Sequence, residues 1–173
     1  LAPRGIWYTA VTGIWQTVWL EPVAAAHVTA LRLVSEPAAR RLVVTADAAG
    51  APSTAALDVV VSEPATAASP ARVAGTASGR AGAPVPVPIP NPRLWSPDDP
   101  FLYDVEVRLA GGDVVHSYAG MRSVSIGRAA DGYVRLFLNG APLFHFGLLD
   151  QGWWPDGLYT APTDEALRYD LEV

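Results

Sequence analysis

Tyr103-Asp104-Val105-Glu106-Val107-Arg108-Leu109 is the stretch on which the fold turns. Apolar and charged residues alternate at every position. That is the period at which a β-strand sends successive side chains to opposite faces. A helix would scatter the three charges around its circumference. The segment therefore reads as a strand with one face for a core and one for water. Gly111-Gly112-Asp113 then turns the chain into a second strand, Val114–Ala119, which completes a hairpin.

Working back from this hairpin, the same pattern recurs. Thr29, Leu31 and Leu33 share one face of a first strand. Leu42, Val44 and Ala46 alternate with Arg41, Val43 and Thr45, and Leu57, Val59 and Val61 alternate with Asp58, Val60 and Ser62. Ser62–Pro70 and Ala77–Ala83, rich in Ala, Ser, Gly and Pro, read as surface loops. Pro84-Val85-Pro86-Val87-Pro88-Ile89-Pro90 alternates proline with branched apolar residues. Proline has no N–H to give to a ladder, so this run belongs at a sheet edge, its Val85, Val87 and Ile89 face sealing the core. About seven short strands with almost no helical periodicity indicate an all-β fold, an antiparallel β-sandwich of immunoglobulin-like type over residues 23–126.

The flanks read differently. Residues 1–22 hold Trp7, Trp15 and Trp19, three of the six tryptophans. Ile14–Glu21 alternates Ile14, Gln16, Val18 and Leu20 with Trp15, Thr17 and Trp19, a strand pattern with large apolar groups on both faces. Such a strand needs cover on both sides, so residues 1–22 read as the last strand or strands of an upstream domain. Beyond the sandwich, Asp131-Gly132 is a hairpin signal between Ser123–Arg128 and Tyr133–Leu138. Asn139-Gly140 makes a second tight turn. Pro142–Gly147 reads as a short apolar strand, Gln151–Tyr159 as an aromatic loop, and Thr163-Asp164-Glu165 as the capped start of a helix. Residues 127–173 are thus a linker hairpin followed by one strand–loop–helix unit. Leu167 and Leu171 give that helix an apolar stripe with nothing in the chain to meet it. The expectation is a piece of a larger protein.

Composition narrows the function classes. Half the residues are hydrophobic and 17% are charged, which argues against disorder. A net charge of −5 argues against nucleic acid, which calls for a basic face. No apolar stretch approaches the length of a membrane span. There is no cysteine, so disulfides and thiolate metal sites are excluded. No signal peptide is visible, and localisation stays open.

Three segments together resemble the family 2 glycoside hydrolases, which include the β-galactosidases, β-mannosidases and β-glucuronidases. Gly13-Ile14-Trp15-Gln16-Thr17-Val18-Trp19-Leu20-Glu21 is similar to the strand closing that family's sugar-binding jelly roll. Leu94-Trp95-Ser96-Pro97-Asp98-Asp99-Pro100-Phe101-Leu102-Tyr103 resembles a signature late in its immunoglobulin-like domain. Gly120-Met121-Arg122-Ser123-Val124 and Leu138-Asn139-Gly140-Ala141-Pro142-Leu143-Phe144 resemble its passage into the catalytic barrel. The resemblance implies the tail of the jelly roll over 1–22, the whole sandwich over 23–126, and the incomplete start of a (β/α)₈ barrel over 127–173. The physical reading of Trp95 is packing at the entry to a core strand rather than sugar contact.

The chain carries no legible catalytic pair. Glycoside hydrolysis needs two carboxylates across the scissile bond. In the family the acid/base Glu follows an Asn, yet Asn91 and Asn139 here precede Pro92 and Gly140. Asp98-Asp99 belongs to a proline-bounded turn and Asp164-Glu165 to a helix first turn. His27, His116 and His145 lack metal-ligand spacing, and His145 reads as a buried core histidine on the first barrel strand. No cofactor or metal is implied. The most site-like residues are Asp150, Gln151, Trp153 and Trp154. They follow the presumed first barrel strand, where barrel enzymes build their sites, and combine aromatic platforms with polar hydrogen-bonding groups. Packing of Trp153 and Trp154 against neighbouring loops explains them equally well. Leu148–Gly152 also replaces the basic–His–Glu segment of the β-galactosidases, which leaves the sugar open.

The leading expectation is a non-catalytic scaffold portion of an enzyme that hydrolyses O-glycosidic bonds with retention. Its two Glu would lie in the remainder of the barrel, and its partners would be a carbohydrate substrate and the adjoining jelly-roll and barrel domains. The competing expectation is a stand-alone carbohydrate-binding or adhesion module, with Trp7, Trp15, Trp19 or the Trp153-Trp154 pair as platform.

Overall fold

A computed structural model describes every residue except 1, 3 and 6, so the part of the amino-terminal reading that falls on those three lies outside the described residues. The chain forms two bodies, one of residues 22–144 and one that joins residues 1–21 to residues 145–173.

The first body is the sandwich. Strands β1 (His27–Glu36), β2 (Arg41–Ala49) and β5 (Val85–Pro88) form one sheet in the order β1-β2-β5. Strands β3 (Ala56–Glu63), β4 (Arg72–Arg80), β6 (Tyr103–Leu109) and β7 (Asp113–Ala119) form the other in the order β4-β3-β6-β7. All pairings are antiparallel. The alternations read from the sequence face inward: Leu42, Val44, Ala46, Leu57, Val59, Val61, Tyr103, Val105, Val107 and Leu109 are each at most 3% exposed. Among the described residues the buried core contains no charged side chain. The one departure in β1 is a bulge between Val28 and Ala30. It turns Thr29 outward and lets Val28 join Leu31 and Leu33 against the core. The Val28 N–H is satisfied by Asp113 Oδ2 at 2.7 Å.

β5 is the edge strand that its prolines require, with Val85, Val87 and Ile89 buried. Its neighbour across the sandwich corrects the sequence reading. Ala77–Ala83 was expected to be a loop, but Ala77–Arg80 completes the nine-residue strand β4. Low β-propensity residues form a strand here because only they fit. A Cβ on Gly75 would stand 2.0 Å from the Pro88 carbonyl oxygen, and one on Gly79 2.5 Å from Val85 Cγ2. Tertiary packing, not local preference, selects glycine in this strand.

The turn before β6 is a small polar construction. Ser96 and Asp99 exchange backbone hydrogen bonds of 3.0 and 3.1 Å around Pro97-Asp98. Arg93 reaches Asp99 through two bonds, Nε to Oδ2 at 2.8 Å and Nη2 to Oδ1 at 2.6 Å, and its guanidinium lies 4.3 Å above the Phe101 ring. Tyr103 is fully buried, and its hydroxyl accepts the Arg93 N–H at 2.7 Å.

Trp95 packs, as expected. Its N–H bonds the Met121 carbonyl at 3.0 Å, Arg122 stacks 4.5 Å over its ring, and a Cβ on Gly120 would come within 3.3 Å of the indole. Asn139 then ties in the third sheet, which has the order β10-β9-β8 and comprises β8 (Val124–Arg128), β9 (Val134–Leu138) and β10 (Ala141–Pro142). The Asn139 amide donates to the Trp95 carbonyl and accepts from the Ser123 N–H, both at 3.0 Å. Asn139 and Gly140 take φ of 52° and 82°, the paired positive values of a two-residue hairpin.

In the second body, α1 (Asp164–Glu172) is capped by Thr163, whose hydroxyl accepts the Ala166 N–H at 3.1 Å. Two expected strands do not form. Ile14–Glu21 and 143–147 carry no strand, because neither finds an edge to pair with among the described residues. For the same reason His145, expected to be buried, is exposed.

Gly75→Ala should destabilise the sandwich by about 1–3 kcal/mol through overpacking against β5, read as a lower urea midpoint. Gly147→Ala, with nothing within 4 Å of its added carbon, should leave the midpoint unchanged. The Arg93 hydrogen bonds hold the Asp99 carboxyl below its usual range. Its contribution is therefore complete above the ordinary carboxylate range and is lost as pH falls through the lowered folded value. Asp99→Asn should lower the midpoint at pH 7 and converge on wild type in strong acid; an equal deficit at both pH values would refute the linkage.

Candidate functional site

The four residues singled out by the sequence, Asp150, Gln151, Trp153 and Trp154, lie in one loop of the second body. Local chemistry shapes this loop. The Asp150 carboxylate accepts the Gly152 N–H at 2.7 Å, a turn that Gly152 closes with φ of 61°. Trp154 and Leu158 exchange backbone hydrogen bonds of 2.8 and 3.1 Å around Pro155-Asp156-Gly157, and Asp156 accepts the Gly157 N–H at 2.9 Å. Leu158 is held at φ of 56°, a conformation that costs a non-glycine residue about 1–2 kcal/mol. Gly157 cannot be replaced freely, since a Cβ there would stand 2.0 Å from the Thr160 carbonyl oxygen.

The loop does not stand alone. Tyr8 stacks on Trp153 with centroids 4.7 Å apart and planes 12° from parallel, and its hydroxyl donates to Gln151 Oε1. Trp153 meets Tyr159 edge-on at 5.1 Å, and Tyr159 lies 6.1 Å from Trp15. The Thr160 hydroxyl donates to the Trp15 carbonyl at 3.2 Å. The result is a run of four rings, Tyr8–Trp153–Tyr159–Trp15, joining segments about 145 residues apart in sequence.

These contacts sort the four residues. Trp153 is half-buried, with one face taken by Tyr8, and Gln151 is engaged by the same tyrosine. Asp150 is exposed and folds back on its own loop. Trp154 lines an open groove of about 740 Å³ with Trp15, Trp19, Gln16 and Asp164. Its volume lies within the usual range for small-molecule sites, and it combines aromatic faces with an amide and a carboxylate. Tyr8 and Tyr159 were missed by sequence reasoning. The available signal was the clustering of tryptophan: five of the six lie in the two flanks that form this body. Among the described residues no cluster of three or more His, Asp or Glu could hold a metal ion.

The model of the family described as "Glycosyl hydrolases family 2" matches residues 26–127, more than half of the chain. Among curated proteins no relative matches. Solved structures of a β-glucuronidase from Ruminococcus gnavus share the fold. Its complex with C6-substituted uronic isofagomine is 17% identical, has a TM-score of 0.66, and is matched over 87% of this chain and 24% of its own. The same identity, TM-score and coverage apply to its complex with D-glucaro 1,5-lactone and to its apo form. The chain therefore spans about a quarter of the length of these structures.

Removing one ring should loosen the amino-terminal segment. Stacked aromatic pairs contribute about 0.5–1.5 kcal/mol, so Trp153→Ala should speed tryptic cleavage after Arg4 about two- to tenfold. An unchanged cleavage rate would count against the Tyr8–Trp153 stack.

Proposed function

The chain belongs to the glycosyl hydrolases of family 2, and on that premise we propose that it is the non-catalytic middle of a larger glycosidase. Residues 23–126 are the scaffold, 1–22 close an upstream sugar-binding jelly roll, and 127–173 are the linker hairpin and first βα unit of a catalytic barrel. One observation carries the reading. Phe144, Phe146, Leu148 and Leu149 are each 83–85% exposed in a continuous apolar run without a strand partner. An exposed run of this kind marks a surface that another structure covers. A parallel barrel strand, buried on both faces, has this composition. Ile14, Val18 and Leu20, at 82%, 74% and 99% exposed, make the same case for the other flank. The 24% span of the neighbouring structures agrees with it.

The chemistry follows from what the chain lacks. A retaining glycosidase sets two carboxylates about 5–5.5 Å apart, one as acid/base and one as nucleophile. No Asn-Glu pair occurs in this sequence, and on this reading neither group is supplied by this chain. This chain contributes position: the loop from Asp150 to Trp154 forms one edge of the pocket for an O-linked carbohydrate. Trp154 is the ring available to a sugar face, while Trp153 acts as its buttress.

The test is turnover of a panel of aryl glycosides. The 173-residue chain should show none above blank, and the protein extended through a full barrel should turn over at least one. An extended protein that binds glycans without cleaving any would replace this reading with a carbohydrate-binding module.

A further inference from the structure

We propose that Tyr8 is a positioning residue for the substrate loop, so that the pocket edge is built by two chain segments rather than one. The inference rests on the reading just given for the loop from Asp150 to Trp154.

Three observations carry it. First, Tyr8 makes two different contacts with the same loop, a near-parallel stack on Trp153 at 4.7 Å and a hydroxyl hydrogen bond to Gln151 Oε1. Stacking alone would let the loop slide in the ring plane. The hydroxyl contact brings a second loop residue, Gln151, against the same tyrosine. Second, the loop is poorly held by itself. Its internal bonds are short-range, Asp150 to Gly152, the pair between Trp154 and Leu158, Asp156 to Gly157 and Gly157 to Thr160, while residues 150–152 are exposed. It also contains the strained Leu158, a conformation that persists only when its surroundings over-determine it. Third, the support is two-sided. Trp15 reaches the far end of the loop through Tyr159 and through the Thr160 hydroxyl at 3.2 Å. Tyr8 and Trp15 thus hold the loop at both ends, and Trp154 lies between them, lining the groove.

The consequence concerns the ligand. A sugar stacked on Trp154 gains little if the indole must first be ordered, because that ordering opposes binding. With Tyr8 in place the platform is pre-set. The ligand class is a pyranoside whose apolar face lies on an indole and whose hydroxyls meet the Gln16 amide and the Asp164 carboxylate lining the groove. Tyr8 touches no substrate and acts only through Trp153 and Gln151.

Two measurements test it. In the 173-residue chain, hydrogen exchange should show amides 151–159 exchanging about two- to tenfold faster in Tyr8→Ala, with Tyr103–Leu109 unchanged. Tyr8→Phe, which keeps the ring and loses the hydroxyl, should fall between. Loop exchange unaltered in Tyr8→Ala would overturn the proposal. In the protein extended through its barrel, Tyr8→Ala should raise KM for an aryl glycoside by a similar factor with kcat within about twofold. A fall in kcat at constant KM would overturn it too. Should the wild-type extended protein turn over nothing, the glycosidase reading fails, and the exchange measurement alone decides whether Tyr8 positions the loop.

Discussion

The sandwich depends on the approach of two backbones at one edge. β4 and β5 belong to different sheets, and the core is sealed only if they come close enough to exclude water between them. Gly75 and Gly79 permit this, because any side chain there would strike the Pro88 carbonyl or the Val85 side chain. In return β5 places Val85, Val87 and Ile89 under the core at no more than 2% exposure. Full burial of such a side chain contributes about 1.5–3 kcal/mol, so the three together rival the net stability of a small domain. The prolines of β5 leave its outer side without a full set of donors. The strand that closes the core is therefore also one that resists pairing with another chain.

A second constraint governs how the sandwich is joined to the sheet that follows it. Burial of Tyr103 removes a phenol from water, and an unpaired hydroxyl there would cost about 1–3 kcal/mol. The Arg93 N–H satisfies it, which places the Arg93 side chain over Phe101 and against Asp99. The same turn delivers Trp95 to Met121, Arg122 and Asn139, and Asn139 bonds Ser123. Three of the four stretches recognised as motifs in the sequence are thus joined in one structural unit, while Gly13–Glu21 belongs to the other body. Leu94–Tyr103, Gly120–Val124 and Leu138–Gly140 meet around Trp95. Their residue types answer to geometry: glycine where an indole lies close, asparagine where an amide must donate and accept at once with φ positive. This arrangement is a joint between sheets, held by Trp95, Arg122 and Asn139.

Most of the sandwich was legible because the inward faces of β2, β5 and β6 follow period two. What misled was context. The second half of β4, from Ala77, has the composition of a loop, and only its neighbour explains why. Ile14–Glu21 and the part of Pro142–Gly147 that lies beyond β10 have the opposite history. Their patterns are those of strands, yet a strand exists only where a second backbone accepts its hydrogen bonds, and the described residues offer none. Pattern reports what a segment prefers, and pairing decides whether the preference is realised. In the candidate site the loop was legible from its aromatic and turn residues. Its supports were not, since Tyr8 and Trp153 are 145 positions apart and carry no motif that links them.

That long-range pairing separates two ways in which the chain uses its side chains. The sandwich uses its polar groups on itself: Arg93 on Asp99, Arg72 on Glu63, Arg41 on Glu36, Arg108 on Glu106. Exposed pairs of this kind contribute little stability individually. The second body is different. Its described side-chain contacts are chiefly aromatic, and its groove keeps an amide, a carboxylate and three indoles in the open. In this chain the side chains that stay open are those of the loop after Leu149 and of the amino-terminal segment that contacts it, and a change on either side would alter the same cluster of rings.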